Sequence, residues 1–267
     1  MVSMTMISVP GAASAQSIRE KIQNGETIRI GFSNEAPWAY PGGNSEPLGS
    51  INAITLDVLK KLGATKIEPV VTEWGSLVPG LQAGRFDIIT GGMYILPERC
   101  RNVLFSEPVG KITDGLVVPT GNPEGLHSLP DLQKKGLTIA TGAGGNGVRE
   151  AQKVGIADEK IMQVASAVEA VQAVKAGRAD AAYGDYLTMK KFTGKDDGIG
   201  MADPFTPPSV GYPGLAFKPG DQAAVDAFNE VLKEYIGSEE MMESVSKYGY
   251  DKATLPDGPK TAELCKG

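Results

Sequence analysis

The stretch Pro79-Gly-Leu-Gln-Ala-Gly-Arg-Phe-Asp-Ile-Ile-Thr-Gly-Gly-Met-Tyr-Ile-Leu-Pro-Glu-Arg-Cys100 carries the densest structural signals in the chain. A short apolar helix face ends at Gly84, a residue type that commonly follows a helix C-terminus. The run from Phe86 to Thr90 is short, apolar and rich in isoleucine, which predicts a buried strand. The stretch therefore predicts a helix followed directly by a buried strand, as in an α/β fold.

The end of this predicted strand has the composition of an anion-binding site. Gly92 has no Cβ, so the backbone there can approach a ligand closely, and Tyr94 and Arg99 follow. An arginine can hold a carboxylate through two parallel hydrogen bonds. The alternative is a surface arginine paired with Glu98 or Asp87. We expect Arg99 to grip a carboxylate.

The rest of the chain alternates strands and helices with short connections, which predicts parallel βαβ units. The run Val171 to Asp180 repeats the order of Leu77 to Asp87, because each has a helix, then A-G-R-x-D, then a strand. Two similar α/β lobes are therefore expected, joined by two extended segments that act as a hinge. The predicted division is a leader of residues 1–16, a first lobe of residues 17–118 and 217–267, and an inserted second lobe of residues 119–216.

Composition excludes several classes of function. The 267 residues carry a net charge of −6 without a basic run, which argues against nucleic-acid binding. His127 is the single histidine and accompanies no cysteine cluster, so no metal site is expected. No G-x-S-x-G elbow and no P-loop lysine are present, so neither a Ser-His-Asp hydrolase nor a cofactor is expected.

The first residues resemble an export signal. Ala13-Ser14-Ala15-Gln16 fits an A-x-A cleavage pattern, although the basic start is missing and the apolar core is short. The alternative is a plain flexible leader. No lipobox cysteine lies near Ala15, so we expect a free periplasmic protein.

The chain has two cysteines, Cys100 and Cys265. Two cysteines in an exported protein often form a disulfide, and the alternative is two free buried thiols. Pairing would tie the end of the chain to the loop that carries Arg99.

Further polar and aromatic residues follow the predicted strands, where open α/β sheets bind ligands. Ordinary packing, a tight turn and solvated carboxylates are the alternatives for them. Together with Arg99 they predict a site for a zwitterion, and binding rather than catalysis, since no nucleophile accompanies an acid–base pair. The candidate residues are Glu35, Trp38, Trp74, Gly92, Tyr94, Arg99, Asn146, Gly147 and Asp185.

The run P-G-L-Q-A-G-R-F-D-I-I-T-G-G-M-Y-I-L-P-E-R resembles the signature of polar amino-acid-binding proteins of ABC importers. The resemblance spans about Thr27 to Tyr248. It implies the periplasmic binding protein type II architecture, with two mixed sheets flanked by helices and a two-segment hinge. N-E-A-P-W38, P-E-R-C100 and the terminal E-L-C265 are similar to the ectoine/hydroxyectoine-binding branch.

That resemblance implies roles for the candidate residues. Trp38, Trp74 and Tyr94 match the aromatic positions around the ectoine ring, and Glu35 matches the acidic residue that meets the ring nitrogens. Arg99 and the Gly92 backbone match the carboxylate site. The chain departs from the branch in its two tryptophans, where smaller aromatics are expected, and in Asn146-Gly147, where a threonine and an acidic residue are expected. Asp185 keeps the general amino-acid pattern, in which it meets an α-amino group.

The sequence thus predicts a monomeric solute-binding protein that captures ectoine or 5-hydroxyectoine by cleft closure and docks on ABC permease subunits. A polar or basic L-amino acid is the alternative ligand. The alternative of another class is a cyclohexadienyl dehydratase-like enzyme on the same fold, which would need Glu35 or Asp185 as a general acid beside Arg99.

Overall fold

The computed structural model describes residues 16–194, 198–207 and 209–266. The expected cleavage site at Ala15 lies at the edge of this range, and residues 1–15 lie outside it. The strands are β1 (Ile28–Phe32), β2 (Tyr40–Pro41), β3 (Pro47–Leu48), β4 (Ile67–Val71), β5 (Ile88–Ile89), β6 (Leu104–Phe105), β7 (Ile112–Pro119), β8 (Ile139–Gly142), β9 (Ile161–Val164), β10 (Ala181–Asp185), β11 (Ile199–Met201), β12 (Val210–Gly211) and β13 (Ala216–Phe217).

Helices cover the faces and ends of the sheets formed by these strands. The α-helices are α1 (Ile18–Gln23), α2 (Ser50–Lys61), α3 (Leu77–Gln82), α4 (Pro97–Cys100), α5 (Leu129–Lys135), α6 (Asn146–Lys153), α7 (Ala167–Lys175), α8 (Tyr186–Lys191), α9 (Gln222–Tyr235), α10 (Glu239–Val245) and α11 (Thr261–Leu264). Short 3₁₀ turns lie at Trp74–Ser76, Asp158–Lys160, Ser246–Tyr248 and Lys252–Thr254.

The strands form two mixed sheets. The first has the order β4-β1-β5-β13-β6, in which β1 is parallel to β4 and β5, while β13 is antiparallel to β5 and β6. The second has the order β11-β7-β10-β8-β9, in which β8 is parallel to β9 and β10, while β7 is antiparallel to β10 and β11. The predicted α/β architecture with two mixed sheets is confirmed.

The chain passes between the sheets twice, from β6 to β7 and from β12 to β13. We call residues 16–111 and 212–266 lobe 1, and residues 112–211 lobe 2. The first crossing ends before Ile112, earlier than the predicted boundary at residue 118, because β7 pairs with the second sheet along its whole length. The polar pair Thr113 and Asp114 interrupts the apolar run, so the sequence showed only the second half of β7.

The repeated A-G-R-x-D motif does the same work in each lobe. Its glycine has a φ of +73° in the first copy and +65° in the second, which ends the preceding helix. Its aspartate accepts a hydrogen bond from the start of a neighbouring strand. Asp87 Oδ2 lies 2.9 Å from the Arg29 backbone N, and Asp180 Oδ2 lies 2.7 Å from the Thr138 N. Each lobe is therefore fastened in the same way.

Each lobe has its own apolar core. In lobe 1, helix α2 buries Ile54 and Val58 in a cluster that includes Phe228 and Leu232 of α9. Ile54 and Val58 are four residues apart, so they lie on one face of the helix. In lobe 2, the strands of the second sheet pack between α5 and α6 on one side and α7 and α8 on the other. Helix α8 was not predicted. It begins at Tyr186, and the side chain of the preceding Asp185 caps it.

The two cysteines form a disulfide, with Cα atoms 5.6 Å apart across 165 residues of sequence. The prediction of pairing is confirmed, and the alternative of two free thiols is wrong. The bond holds α11 against α4. In addition, the Thr261 hydroxyl of α11 donates to the carbonyl of Ser106, which follows β6, at 2.7 Å. The C-terminus is thus fixed to the short helix that contains Arg99. Among the described residues, no helix combines the length and apolarity needed to cross a membrane.

Candidate functional site

A cavity of about 740 Å³, including its open mouth, lies between the two lobes. Residues of both lobes line it, and small-molecule sites commonly lie at such junctions. The structure brings all the candidate residues into its lining: Glu35, Trp38, Trp74, Gly92, Tyr94, Arg99, Asn146, Gly147 and Asp185. That these residues bind a ligand stays a prediction.

Strand order explains why residues so distant in sequence meet here. The segment after β1 carries Glu35 and Trp38, and the segment after β5 carries Gly92 and Tyr94. Strands β8 and β10 of lobe 2 end at the opposite side of the cavity, at Gly142 and Asp185. The cavity thus lies at the carboxyl ends of both sheets, where α/β folds bind ligands.

Two glycines of the lining are required by close packing. Gly92 has a φ of +77°, and a Cβ there would lie 3.3 Å from the Ile51 side chain. A Cβ at Gly147 would overlap the Thr141 hydroxyl and crowd the Tyr183 ring. Gly147 therefore lets helix α6 start directly against strand β8, which positions the neighbouring Asn146 at the cavity.

Arg99 reaches from α4 across the cleft. Its Nη1 donates to the Tyr94 carbonyl at 3.0 Å and its Nη2 donates to the Gly144 carbonyl at 2.9 Å. Burial lowers the pKa of the guanidinium to about 10, so it stays charged at neutral pH. Arg99 forms no ion pair with Glu98 or Asp87 among the described residues. These two hydrogen bonds leave three of its five N–H groups for a ligand.

Three aromatic side chains of the wall, Trp38, Trp74 and Tyr94, belong to lobe 1, and each donates its polar hydrogen to lobe 2. Their polar atoms are therefore engaged within the protein. The three bonds run from Trp38 Nε1 to Asp185 Oδ1 at 2.7 Å, from Trp74 Nε1 to the Gly144 carbonyl at 3.2 Å, and from the Tyr94 hydroxyl to Asp114 Oδ1 at 3.0 Å.

Two carboxyl groups in the cavity lack sufficient partners. Burial, together with the charges of Asp185 and Glu73, raises the pKa of Glu35 to about 7. Burial raises the pKa of Asp185 to about 7 as well, although Thr188 and Trp38 donate to it. No donor among the described residues reaches the Glu35 carboxyl, and Asp185 Oδ2 is buried without a hydrogen bond. These groups would be stabilised by a cationic ligand.

Sequence reasoning missed Asp114, which lines the same cavity from β7. Burial raises its pKa, although four hydrogen bonds favour its charged form. The donors are the hydroxyls of Tyr94, Tyr183 and Ser209 and the Asn146 amide, at 2.8 to 3.2 Å. An aspartate next to an apolar run was the available signal, but it lay just before the extended segment that was predicted to begin at Leu116.

A cavity enclosed between two mixed sheets, with two chain crossings, defines the protein as a two-lobed solute-binding protein. Residues 28–251 match the family model described as bacterial extracellular solute-binding proteins, family 3, and the chain belongs to this family. The predicted relationship and fold class are thereby confirmed.

Relatives with names support the same assignment. The chain is 37% identical over 257 residues to the "Probable amino-acid ABC transporter periplasmic-binding protein y4tE" of Sinorhizobium fredii, covering 92% of this chain and 85% of that one. The crystal structure of EhuB in complex with hydroxyectoine superimposes with a TM-score of 0.84 at 27% identity, covering 93% of this chain and 97% of EhuB. An ancestral amino-acid-binding protein, AncCDT-1, described as a precursor of cyclohexadienyl dehydratase, gives a TM-score of 0.74 at 26% identity, covering 87% and 99%.

Proposed function

We propose that this protein captures a small solute with a carboxylate at one end and a cationic group at the other, and delivers it to an ABC importer. The observation that carries the proposal is the separation of charges in one cavity. Arg99 lies on one side with N–H groups that donate to no described residue, while neither the Glu35 carboxyl nor Asp185 Oδ2 has a hydrogen-bond partner among the described residues.

The carboxylate of the solute would bind Arg99. A guanidinium holds a carboxylate in a planar, two-bonded arrangement, and a buried one does so with little competition from water. The Tyr94 carbonyl orients the guanidinium within lobe 1, and the Gly144 carbonyl of lobe 2 holds it when the lobes are closed. The Gly92 backbone, kept close by its missing Cβ, would supply a further contact.

The cationic end would lie among the aromatic faces and the acidic groups. Trp38, Trp74 and Tyr94 line the cavity, and their polar atoms are bound to lobe 2. A cation over such a face gains about 0.5 to 2 kcal/mol when it is desolvated. The unpaired Glu35 and Asp185 carboxyls add an electrostatic attraction and accept hydrogen bonds from N–H groups.

Ectoine and 5-hydroxyectoine are the first candidate ligands. Their delocalised cationic ring fits between aromatic faces, and its ring nitrogens can donate to Glu35. The similarity of the whole chain to EhuB, solved with hydroxyectoine, supports this candidate.

A polar or basic L-amino acid is the second candidate, and a specific observation favours it. Asp185 Oδ2, Asn146 Oδ1 and Thr188 Oγ1 are buried acceptors without partners among the described residues. An α-ammonium group carries three N–H donors and would satisfy such a set. Glu35 would then be free to bind a cationic side chain. The name of the relative from Sinorhizobium fredii agrees with this candidate.

We propose binding rather than turnover. Glu35, with a pKa of about 7, could serve as a general acid in the cavity that holds Arg99, as a cyclohexadienyl dehydratase-like reaction would require. The similarity to AncCDT-1 keeps this alternative testable. The family and the related proteins named above are binding proteins, which supports the absence of turnover in this one.

The remaining parts of the proposal concern location and partners. The family is extracellular, and the chain similarity to a protein named as periplasmic supports a periplasmic location. The closed lobes would present the solute to ABC permease subunits. The protein would act as a monomer, because each half of the cavity comes from the same chain.

A thermal-shift panel tests the function directly. Ectoine, hydroxyectoine, glycine betaine, prephenate and the common amino acids would each be added, because a ligand that binds only the folded state raises the melting temperature. A shift with ectoines alone supports the first candidate, and a shift with amino acids alone rejects it. Calorimetry then measures the affinity. Conversion of prephenate would move the protein to the enzyme class.

A further inference from the structure

The walls of the cavity are joined by hydrogen bonds that all begin on aromatic side chains of lobe 1 or on Arg99. Trp38, Trp74 and Tyr94 donate to acceptors in lobe 2 at 2.7, 3.2 and 3.0 Å. Trp38 and Tyr94 are buried, with exposed fractions of 4% and 8%. Aromatic side chains that only covered a solute would not need their polar atoms directed into the other lobe.

The acceptors show how closely closure depends on these bonds. Asp114 Oδ1 accepts from the Tyr94 hydroxyl alone among the described residues. Asp114 Oδ2 instead accepts from Tyr183, Asn146 and Ser209, which are all in lobe 2. Moving the lobes apart would therefore remove the donor of one carboxylate oxygen and leave the other oxygen unchanged.

The second acceptor lies in the glycine-rich turn before α6. The Gly144 carbonyl receives both Trp74 Nε1 and Arg99 Nη2 from lobe 1. The Arg99 guanidinium carbon is also 5.8 Å from the centre of the Trp74 ring, so the two side chains form one unit. The third acceptor, Asp185 Oδ1, takes Trp38 Nε1 together with the backbone N–H of Thr188.

We propose that Trp38, Trp74 and Tyr94 are positioning residues that latch the lobes together and set the rate at which the solute leaves. This inference rests on the proposed function, because the solute is the one captured in the cavity. The latch bonds break when the lobes open, so they slow release without affecting the first encounter. Since their polar atoms are engaged, these residues touch the solute only with their ring faces.

The test compares two tyrosines that donate to the same carboxylate. Tyr94→Phe removes a bond between the lobes, whereas Tyr183→Phe removes one inside lobe 2, where β10 pairs with β7. Release of the solute that binds best in the panel would be followed by stopped-flow fluorescence. A hydrogen bond to a charged group corresponds to about tenfold or more in rate, so Tyr94→Phe should release the solute about tenfold faster without slowing its association. Tyr183→Phe should change release less than about threefold. Equal effects on release, or no effect of Tyr94→Phe, would overturn the latch.

A second variant and a second measurement keep the inference separate from the proposed function. Trp74→Phe keeps an aromatic ring and loses the N–H, so it should also speed release, by a smaller factor because its bond is longer at 3.2 Å. Small-angle scattering should show a larger radius of gyration for Tyr94→Phe than for Tyr183→Phe, with no solute added. If no solute in the panel binds the wild type, the proposed function fails. Identical scattering of the two tyrosine variants would then overturn the latch as well.

Discussion

The two walls of the cavity differ in the direction of their hydrogen bonds. Lobe 1 supplies donors, namely the two indole N–H groups, the Tyr94 hydroxyl and the Arg99 guanidinium. Lobe 2 supplies acceptors, namely Asp114, Asp185 and the Gly144 carbonyl. The donors of lobe 1 and the acceptors of lobe 2 therefore pair with each other. The donors and acceptors that remain unpaired in each wall determine which groups a solute needs in order to bind.

The groups left over differ between the walls in the same way. In lobe 1, the remaining N–H groups of Arg99 are available to bind an anion. In lobe 2, buried oxygen atoms of Asp185, Asn146 and Thr188 have no partner among the described residues and could accept hydrogen bonds from a solute. Glu35 is the exception, because it is an acidic group on the donor wall. Its carboxyl group would strengthen the binding of the solute's cationic group.

The largest expected effect concerns the support of the donor wall. Replacing Cys100 and Cys265 together by serine opens a link across 165 residues that holds α4, and with it Arg99. Loss of such a link typically lowers the free energy of unfolding by about 2 to 5 kcal/mol. Denaturant unfolding would measure the change. Hydrogen exchange should rise around α4 and α11 and not in β10, and an unchanged free energy of unfolding would contradict the prediction.

The next effect removes the donor wall's charge. Arg99→Ala should weaken binding of any carboxylate solute by at least about a hundredfold, because two charge-assisted hydrogen bonds of roughly 1.5 to 3 kcal/mol each are lost. Calorimetry would measure the affinity. Arg101→Ala is the matched control, since Arg101 is an exposed arginine two residues further along the chain. Similar losses in both variants, or none in Arg99→Ala, would reject the carboxylate clamp.

These walls also show what a sequence can predict. The candidate residues that follow strands were predicted correctly as part of the cavity, because a glycine or a polar residue after an apolar run, as at Gly92 and Asp185, indicates the edge of a sheet. Asp114 was not found, since it lies inside a strand and its importance comes from the tyrosines that surround it. The first crossing was placed too late for the same reason. Polar residues in β7 looked like a break in the strand, whereas pairing with three neighbours completes it.

The bonds between the walls lay beyond sequence reasoning altogether. That Trp38 meets Asp185 depends on how two separately folded lobes are set against each other, and no local pattern encodes that distance. By contrast, the repeated A-G-R-x-D motif was visible because its contacts lie within one lobe. Short sequence patterns therefore predict contacts within a lobe, whereas the site depends on how the two lobes are placed against each other.

An intermediate effect follows from the raised pKa of Glu35 and Asp185, each about 7. A cationic solute needs these carboxyls ionised, so lowering the pH from 8 to 6 should weaken its binding about tenfold for each carboxylate it meets. Calorimetry across this range would measure the slope, and Glu35→Gln and Asp185→Asn should each flatten it. An affinity independent of pH would show that the solute does not meet these groups.

Stability without solute should change in the opposite direction. Between the ordinary values of 4.5 and 3.8 and the folded value near 7, the folded protein binds more protons than the unfolded chain. Its free energy of unfolding therefore falls as the pH rises through this window. Melting temperatures at pH 6 should exceed those at pH 8 for the wild type, and by less for Glu35→Gln. A wild-type melting temperature that rises with pH would contradict the assignment.

The smallest expected effect lies at the rim, where lobe 1 supplies the acidic group and lobe 2 supplies the cation. Here Glu98 of lobe 1 forms an ion pair with Arg149 of lobe 2, with 3.7 Å between Oε1 and Nη1 and side chains 41% and 42% exposed. Exposed ion pairs contribute about 0 to 1 kcal/mol and are screened by salt. Glu98→Gln should therefore change solute affinity less than about fivefold, and calorimetry in 0.5 M salt should abolish even that difference. A loss as large as that of Tyr94→Phe would mean that the lobes are held at the rim. A loss this small would place the grip on the solute in the buried walls, where donors of lobe 1 meet acceptors of lobe 2.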